Sequence, residues 1–285
     1  MSSAFGLPLP SPVDLYAPVT LHNRNGPQAR GMSGPAQSYA ALTRGDPNPL
    51  KRFVQRRRLA DALRLVDDLS PSLVVDFGGG DGALLAAAGA RWPAARLICF
   101  EPAPQLAAEA RVLLAATARA EVVEREAALP SGEASLVFCT EVFEHLPPAE
   151  TGHALDEIAR VLEPGGRLVV GVPVEVGPPA LAKGMFRAAR RPHDFDGRIA
   201  HVLGATAGRP PAHRPRIEIA PGRAYFPHHA GFDHRPLVAE LRRRFEIEAL
   251  AASPFGGLPA WLNSELYIRA RPLTPKTGKL NYIAL

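Results

Sequence analysis

Apolar and polar positions along this chain change period in a repeating order. Leu73-Val74-Val75 is a short unbroken apolar run of the kind a strand buried on both faces presents. After a glycine-rich turn come a helical segment at 83–91 and a second apolar run, Leu97-Ile98-Cys99-Phe100. An alanine-rich helix at about 102–118, a short strand at 120–123 and a fourth strand at 134–139 follow. The stripe Leu155, Ile158, Ala159 and Leu162 predicts a helix over about 149–162. Glu163-Pro164-Gly165-Gly166 then reads as a sharp turn before a fifth strand at 167–174. A helix at 235–244 and strands at 245–250 and 264–270 complete the periodic part. Alternation of this kind predicts an α/β, doubly wound sheet, with its crevice at the carboxyl ends of strands one, two and four.

The flanks and one internal stretch keep a different rhythm. Residues 1–48 carry seven prolines, from Pro8 to Pro47, and no period, so they read as an irregular N-terminal arm. Tyr16 and Tyr39 within it are expected to pack. Asp46-Pro47-Asn48-Pro49 sets up a helix over 50–69 in which arginines 52, 56, 57, 58 and 64 are expected on a solvated face. Residues 175–232 break the alternation with a basic helix at 181–191 and a Pro/His/Gly-rich run, the pattern of a lid or substrate insertion. The domain is thus placed at 49–272, and 273–285 as a loose tail.

Composition narrows the picture only in places. With 285 residues, 46% of them hydrophobic, the chain can bury a full-sized core. The formal net charge of +5 is mostly arginine, since the lysines are Lys51, Lys183, Lys276 and Lys279. No basic stretch interleaved with aromatics appears, so no nucleic-acid partner is expected. The arginine-rich helices are compatible with an anionic acceptor or a peripheral membrane contact. Cys99 and Cys139 both fall in apolar runs and read as buried thiols of a reducing compartment. No C-x-x-C or paired histidine spacing accompanies them, so no metal is expected. Neither a leader pattern nor an apolar run long enough for a bilayer is present, and a cytoplasmic location is expected. Oligomeric state cannot be read from the sequence.

The chemistry concentrates at the first turn, Asp76-Phe77-Gly78-Gly79-Gly80-Asp81-Gly82, and at Glu101, where strand two ends. Glycines let a ligand approach backbone N–H groups, and the helix start adds unpaired donors. An acid about 20 residues on is placed to accept both hydroxyls of a ribose, so a nucleoside-containing cofactor is expected. Read as Gly78-x-Gly80-x-x-Ala83, the turn fits a dinucleotide site and an NAD(P)-dependent oxidoreductase. Asp76 and Asp81 favour a cationic ligand over a pyrophosphate.

Taken in order, the chain resembles a class I S-adenosylmethionine (SAM) dependent methyltransferase of the small-molecule kind, similar to the ubiquinone-pathway group. Asp76 to Gly82 resembles motif I, and Glu101-Pro102 the end of strand two. Glu126-Ala127-Ala128-Leu129-Pro130 is similar to the adenine loop, and Val137 to Leu146 to the strand-four signature. Val161-Leu162-Glu163-Pro164-Gly165-Gly166 looks like the segment before strand five. The resemblance implies a Rossmann-like, seven-stranded sheet with the last strand antiparallel and SAM as cofactor. It implies Gly78, Gly79, Gly80 and Gly82 lining the cofactor, Asp76 facing the methionyl amino group, and Glu101 with Pro102 at the ribose. It also implies Glu126 or Ala127 at the adenine and Thr140 and Val142 beside the methionyl part. The Asn/Asp-Pro-Pro-aromatic tetrad of amide and nucleic-acid N-methyltransferases is missing at Cys139-Thr140-Glu141-Val142. A small-molecule or lipid-like acceptor, methylated on oxygen, is expected. Base candidates are Glu141, Glu144, His145, His228 and His229, with His229 favoured because His-x-Gly-Phe before the last helix often faces the pocket in similar enzymes. A SAM-binding module without catalysis stays open beside the oxidoreductase.

Overall fold

The computed structural model describes residues 49–273. The arm with Tyr16 and Tyr39, and the tail beyond residue 273, lie outside these residues. Five parallel strands form the first part of the sheet: β1 (Leu73–Phe77), β2 (Arg96–Phe100), β3 (Ala120–Val123), β4 (Ala134–Thr140) and β5 (Leu162–Pro173). β8 (Phe245–Ser253) and β9 (Glu265–Pro272) extend it, giving the order β3-β2-β1-β4-β5-β9-β8. β9 runs antiparallel to both β5 and β8, so the last strand alone is reversed, as the resemblance implies.

Period-two alternation with both faces covered explains the apolar runs. On one face Val75, Ile98, Val137, Val170 and Ile268 pack under α4 (Pro148–Val161) and α7 (His234–Arg244). On the other Val74, Leu97, Cys99, Leu136 and Phe138 pack under α1 (Pro49–Arg64), α2 (Ala83–Arg91) and α3 (Pro104–Leu114). Each large side chain so buried contributes roughly 1.5–3 kcal/mol, and the central strands carry almost nothing else. Cys99 and Cys139 are buried and free, as expected.

Two stretches differ from the pattern-based reading. Strand five begins at Leu162 rather than after the Glu163–Gly166 turn. Pairing slips from Ala134↔Leu162 to Leu136↔Arg167, so the glycines form a bulge inside the ladder, with Gly165 at φ 92°. The 175–232 segment is more regular than its composition suggested. It holds α5 (Pro178–Arg190), α6 (Ile199–Thr206) and a hairpin of β6 (Ile217–Ala220) and β7 (Arg223–Tyr225).

Candidate functional site

The order of the sheet places β1 between β2 and β4, and the site grows from the carboxyl ends of these three strands. Asp76 lies in β1 opposite Cys99 and Phe138, 2% exposed. Behind it the turn is pinned by its own backbone: the N–H groups of Gly78 and Gly79 both donate to the Phe100 carbonyl, at 2.8 and 3.0 Å. Gly78 and Gly80 take positive φ, 78° and 56°, which a side chain would strain. A Cβ at Gly78 would lie 2.6 Å from Val142 Cγ2, whereas one at Gly80 would meet nothing within 4 Å. Gly80 therefore borders open space of the kind a ligand backbone approach requires.

Glu101 reaches across this turn. Its Oε2 accepts from the Gly80 N–H at 2.9 Å and its Oε1 from the Ala103 N–H at 2.8 Å, so the carboxylate is held before any ligand arrives. Burial raises its pKa, and the two backbone donors oppose the rise. Burial, then the charges of Glu101 and Asp81, push Asp76 up to about 7. Three carboxylates around one glycine turn are mutually repulsive, and a cation beside them relieves that repulsion. Asp81 also accepts from the Ala83 N–H at 3.1 Å, at the start of α2.

Beyond Glu101 a cleft of about 820 Å³ opens, walled by Pro102, Val123, Glu126, Ala127, Pro221 and Arg223. The β6–β7 hairpin forms its far side. Glu126 is gripped there by Arg223, at 2.9 and 3.0 Å, and by His153 at 2.8 Å. Burial acts to raise its pKa, but these two partners hold it below the usual range. The Glu126 carboxylate thus already has partners in the wall of the cleft.

At the carboxyl end of β4, Thr140 leads into Glu141, which takes φ 57° although it is not glycine. Such a conformation costs free energy and clusters at functional sites. Glu141 Oε2 lies 2.9 Å from Arg58 of α1, which also holds Glu265 of β9 at 2.7 Å. Arg58 is therefore not on a solvated helix face, as its spacing suggested; it joins the two carboxylates beneath the site. Burial raises the Glu141 pKa while Arg58 opposes it.

The next turn, Phe143–His145, and the segment after β7 are zipped together. Phe226 N–H donates to the His145 carbonyl at 2.8 Å, and His145 Nδ1 lies 2.7 Å from the Phe226 carbonyl. Arg214 donates to the carbonyls of Glu144 (2.7 Å) and His228, with its guanidinium over the Phe226 ring. His145 stacks on Tyr225 at 4.5 Å and meets His229 edge-on at 4.8 Å. The structure thus brings Glu144, His145 and His229 together. His228 sits apart from Glu144, 3.7 Å from Asp196. Burial pushes His145 down to about 4, and burial with the His145 neighbour pushes His229 down to about 3. Both are neutral near pH 7 and hold protons weakly. Glu144 is 0% exposed, and burial with the nearby Glu141 raises its pKa well above the carboxylate range.

Sequence reasoning missed Arg58, Glu175 and Arg214. Glu175 follows β5 and is held by Lys183 at 3.2 Å and by both terminal nitrogens of Arg187 at 2.8 Å. Burial alone would raise its pKa, yet this grip holds it at about 2. The i, i+4 pair Lys183/Arg187 on a basic helix was the one visible signal that an internal acid would face it.

Comparisons with known proteins bear on the fold and on the stretch that carries the glycine turn. Residues 74–166 match the family described as Methyltransferase domain. Trans-aconitate 2-methyltransferase of Methylobacterium nodulans is 34% identical over 146 residues, covering 50% of this chain and 54% of the relative. Demethylspheroidene O-methyltransferase of Cereibacter sphaeroides is 34% identical over 115 residues, covering 39% of this chain and 30% of the relative. The chain therefore spans about half or less of these curated relatives. Among solved structures, the mitomycin 7-O-methyltransferase MmcR shares the fold at a TM-score of 0.50 and 20% identity, over 83% of this chain and 61% of that one. A Pyrococcus horikoshii OT3 protein does so at 0.53 and 14%, over 82% and 96%. The domain match favours the methyltransferase reading of the glycine turn over the oxidoreductase one. Residues 74–166 thus carry the likeness to a methyltransferase domain, on a fold that the solved methyltransferase MmcR shares.

Proposed function

We propose that the chain catalyses methyl transfer from SAM to an oxygen of a small-molecule or lipid-like acceptor. The observation that carries this reading is the pairing of a cation-seeking turn with a second, acid- and imidazole-lined wall at the end of β4. SAM supplies an electrophilic methyl on a sulfonium, and the protein's share is alignment and proton management. Asp76 would hold the methionyl ammonium and Glu101 the ribose hydroxyls. Gly78, Gly79 and Gly80 would let the ligand lie against the backbone, with Gly82 opening α2 and Pro102 and Ala127 along the adenosyl cleft. Thr140 and Val142 would border the methionyl part. Glu126 serves the adenine only by sharing an oxygen with Arg223 and His153.

On the acceptor side stand Glu141, His145 and His229. With both imidazoles well below neutrality, Glu141 is the better-placed group to accept a proton from an acceptor hydroxyl. An oxygen acceptor is favoured by the name of one curated relative, an O-methyltransferase, and by the lack of the amide-methylating tetrad. Catalysis rather than mere binding is favoured by the strained backbone at Glu141. Incubation of the full chain with isotope-labelled SAM and a host-cell extract tests the proposal. Labelled O-methyl products by mass spectrometry support it; SAM binding without labelled product across oxygen, nitrogen and carbon acceptors would leave a binding module instead.

A further inference from the structure

Glu144, His145 and His229 carry a feature that holding SAM does not explain. Both carboxylate oxygens of Glu144 are shut off from solvent, and neither has a hydrogen-bond partner among the described residues. A buried carboxyl left so costs free energy unless a partner fills the gap. Two imidazole nitrogens face it: His145 Nε2 at 3.8 Å and His229 Nε2 at 4.0 Å from the same Oε1. One ligand atom from each of the three residues lies within 4.8 Å of the others.

For His145 the surroundings fix the facing nitrogen as an acceptor. His145 Nδ1 is taken by the Phe226 carbonyl at 2.7 Å, which places its proton there and leaves the Nε2 lone pair towards Glu144. His229 Nδ1 lies 3.9 Å from Glu175, itself clamped by Lys183 and Arg187. A carboxylate or carbonyl behind each ligating imidazole is the usual support of a metal site. Two imidazole nitrogens and a buried carboxyl without a hydrogen-bond partner converge on one point, where a cation would satisfy all three. With ligand bonds of about 2.0–2.2 Å the ligand atoms around a bound ion lie about 3.3–3.6 Å apart, whereas here they are 3.8 and 4.0 Å from the Glu144 oxygen and all within 4.8 Å of one another. Both imidazoles would have to draw in on the ion, and His229 lies on the loop before α7.

We propose that Glu144, His145 and His229 bind one divalent transition-metal ion of the zinc class, with an open coordination position on the acceptor side. Imidazole with carboxylate selects such ions over calcium or magnesium. This revises the expectation that no metal is held. The role of the ion, unlike its binding, rests on the proposed function. An acceptor hydroxyl or carboxylate fills the open position, and a hydroxyl there loses its proton more readily, to Glu141 or to solvent. The new O–CH3 bond then forms as the sulfonium C–S bond breaks, leaving a neutral thioether.

Titration of the chelator-treated full chain with Co2+, followed by its visible d–d absorption, tests the site. One saturating Co2+ per chain, displaced by Zn2+, is expected. Glu144→Gln and His229→Ala should each weaken Co2+ binding at least tenfold, with SAM affinity by calorimetry retained as the sign of an intact fold. Where a variant does not fold, mapping of histidine acylation on the unaltered chain replaces it: His145 and His229 should be protected by Zn2+. No saturable Co2+ binding, equal binding in folded variants, or no protection would overturn the proposal. Co2+ binding without SAM binding would sink the methyl-transfer reading and leave the metal site standing; SAM binding without Co2+ would do the reverse.

Discussion

Asp76 carries the sharpest consequences at the scale of single residues. Its pKa is raised from 3.8 to about 7 by burial and by Glu101 and Asp81, so the folded chain holds this proton more tightly than the unfolded one. Between those two values the stability without SAM should fall as pH rises, levelling off above about 7, because the native state binds more protons there. SAM affinity should move the opposite way, since the ammonium needs an ionised partner. Asp76→Asn should weaken SAM binding about tenfold or more, the loss of one charged contact. It should also flatten the pH dependence of affinity on either side of about 7, where the Asp76 carboxyl titrates; an unaltered slope in the variant would assign that titration elsewhere. Gly80→Ala separates strain from ligand approach. Its Cβ meets no protein atom, so the unfolding free energy should drop by only about 1 kcal/mol. SAM affinity should fall much further, and an equal loss in both would remove the cradle from Gly80.

Element by element, what the sequence revealed follows burial. Strands β1, β2 and β4 are covered on both faces, so their apolar runs were continuous and their ends fell within a residue or two of the observed ones. β6 and β7 lie outside the main sheet with their residues half or fully exposed, so no apolar pattern marked them. The role of Arg58 was hidden for a different reason: its partners Glu141 and Glu265 lie far along the chain and only the fold brings them near. Arg58→Met should leave two acids facing each other and lower stability by about 2–3 kcal/mol, as when one partner of a largely buried ion pair is removed. Urea unfolding checks it, and an unchanged midpoint would mean the network adds nothing. Helix α5 shows the same mixture. Lys183 and Arg187 turn inward to Glu175, while Met185 and Phe186 stay exposed, with Arg190 5.2 Å over the Phe186 ring. Leu203 of neighbouring α6 is exposed as well. An apolar patch with arginine at its rim suits an anionic lipid surface or an amphiphilic acceptor. Full-length chain should co-sediment with vesicles containing anionic lipid, several-fold less so as Met185→Ser/Phe186→Ser; equal sedimentation with neutral vesicles would argue against it.

For the molecule as a whole, the proposed function gives one sheet two jobs at the same strand ends. On that proposal the turn after β1 and the acid after β2 would make the cofactor side, and the turn after β4 with the segment after β7 the acceptor side. The first of these could be read from sequence because its residues are close together and restricted to glycine and acid. For the second, the sequence named Glu141, Glu144, His145 and His229 as candidates but not their mutual contacts, which depend on segments far apart in the chain joined through Phe226 and Arg214. Among the described residues no helix is long and apolar enough to cross a membrane. Calorimetric titration of the full chain with SAM, and separately with NAD, addresses the central claim most directly. Saturable SAM binding at one site per chain, at least tenfold weaker in Asp76→Ala and with no heat from NAD, is the predicted result. Absence of SAM binding, or the same affinity in Asp76→Ala, would contradict it.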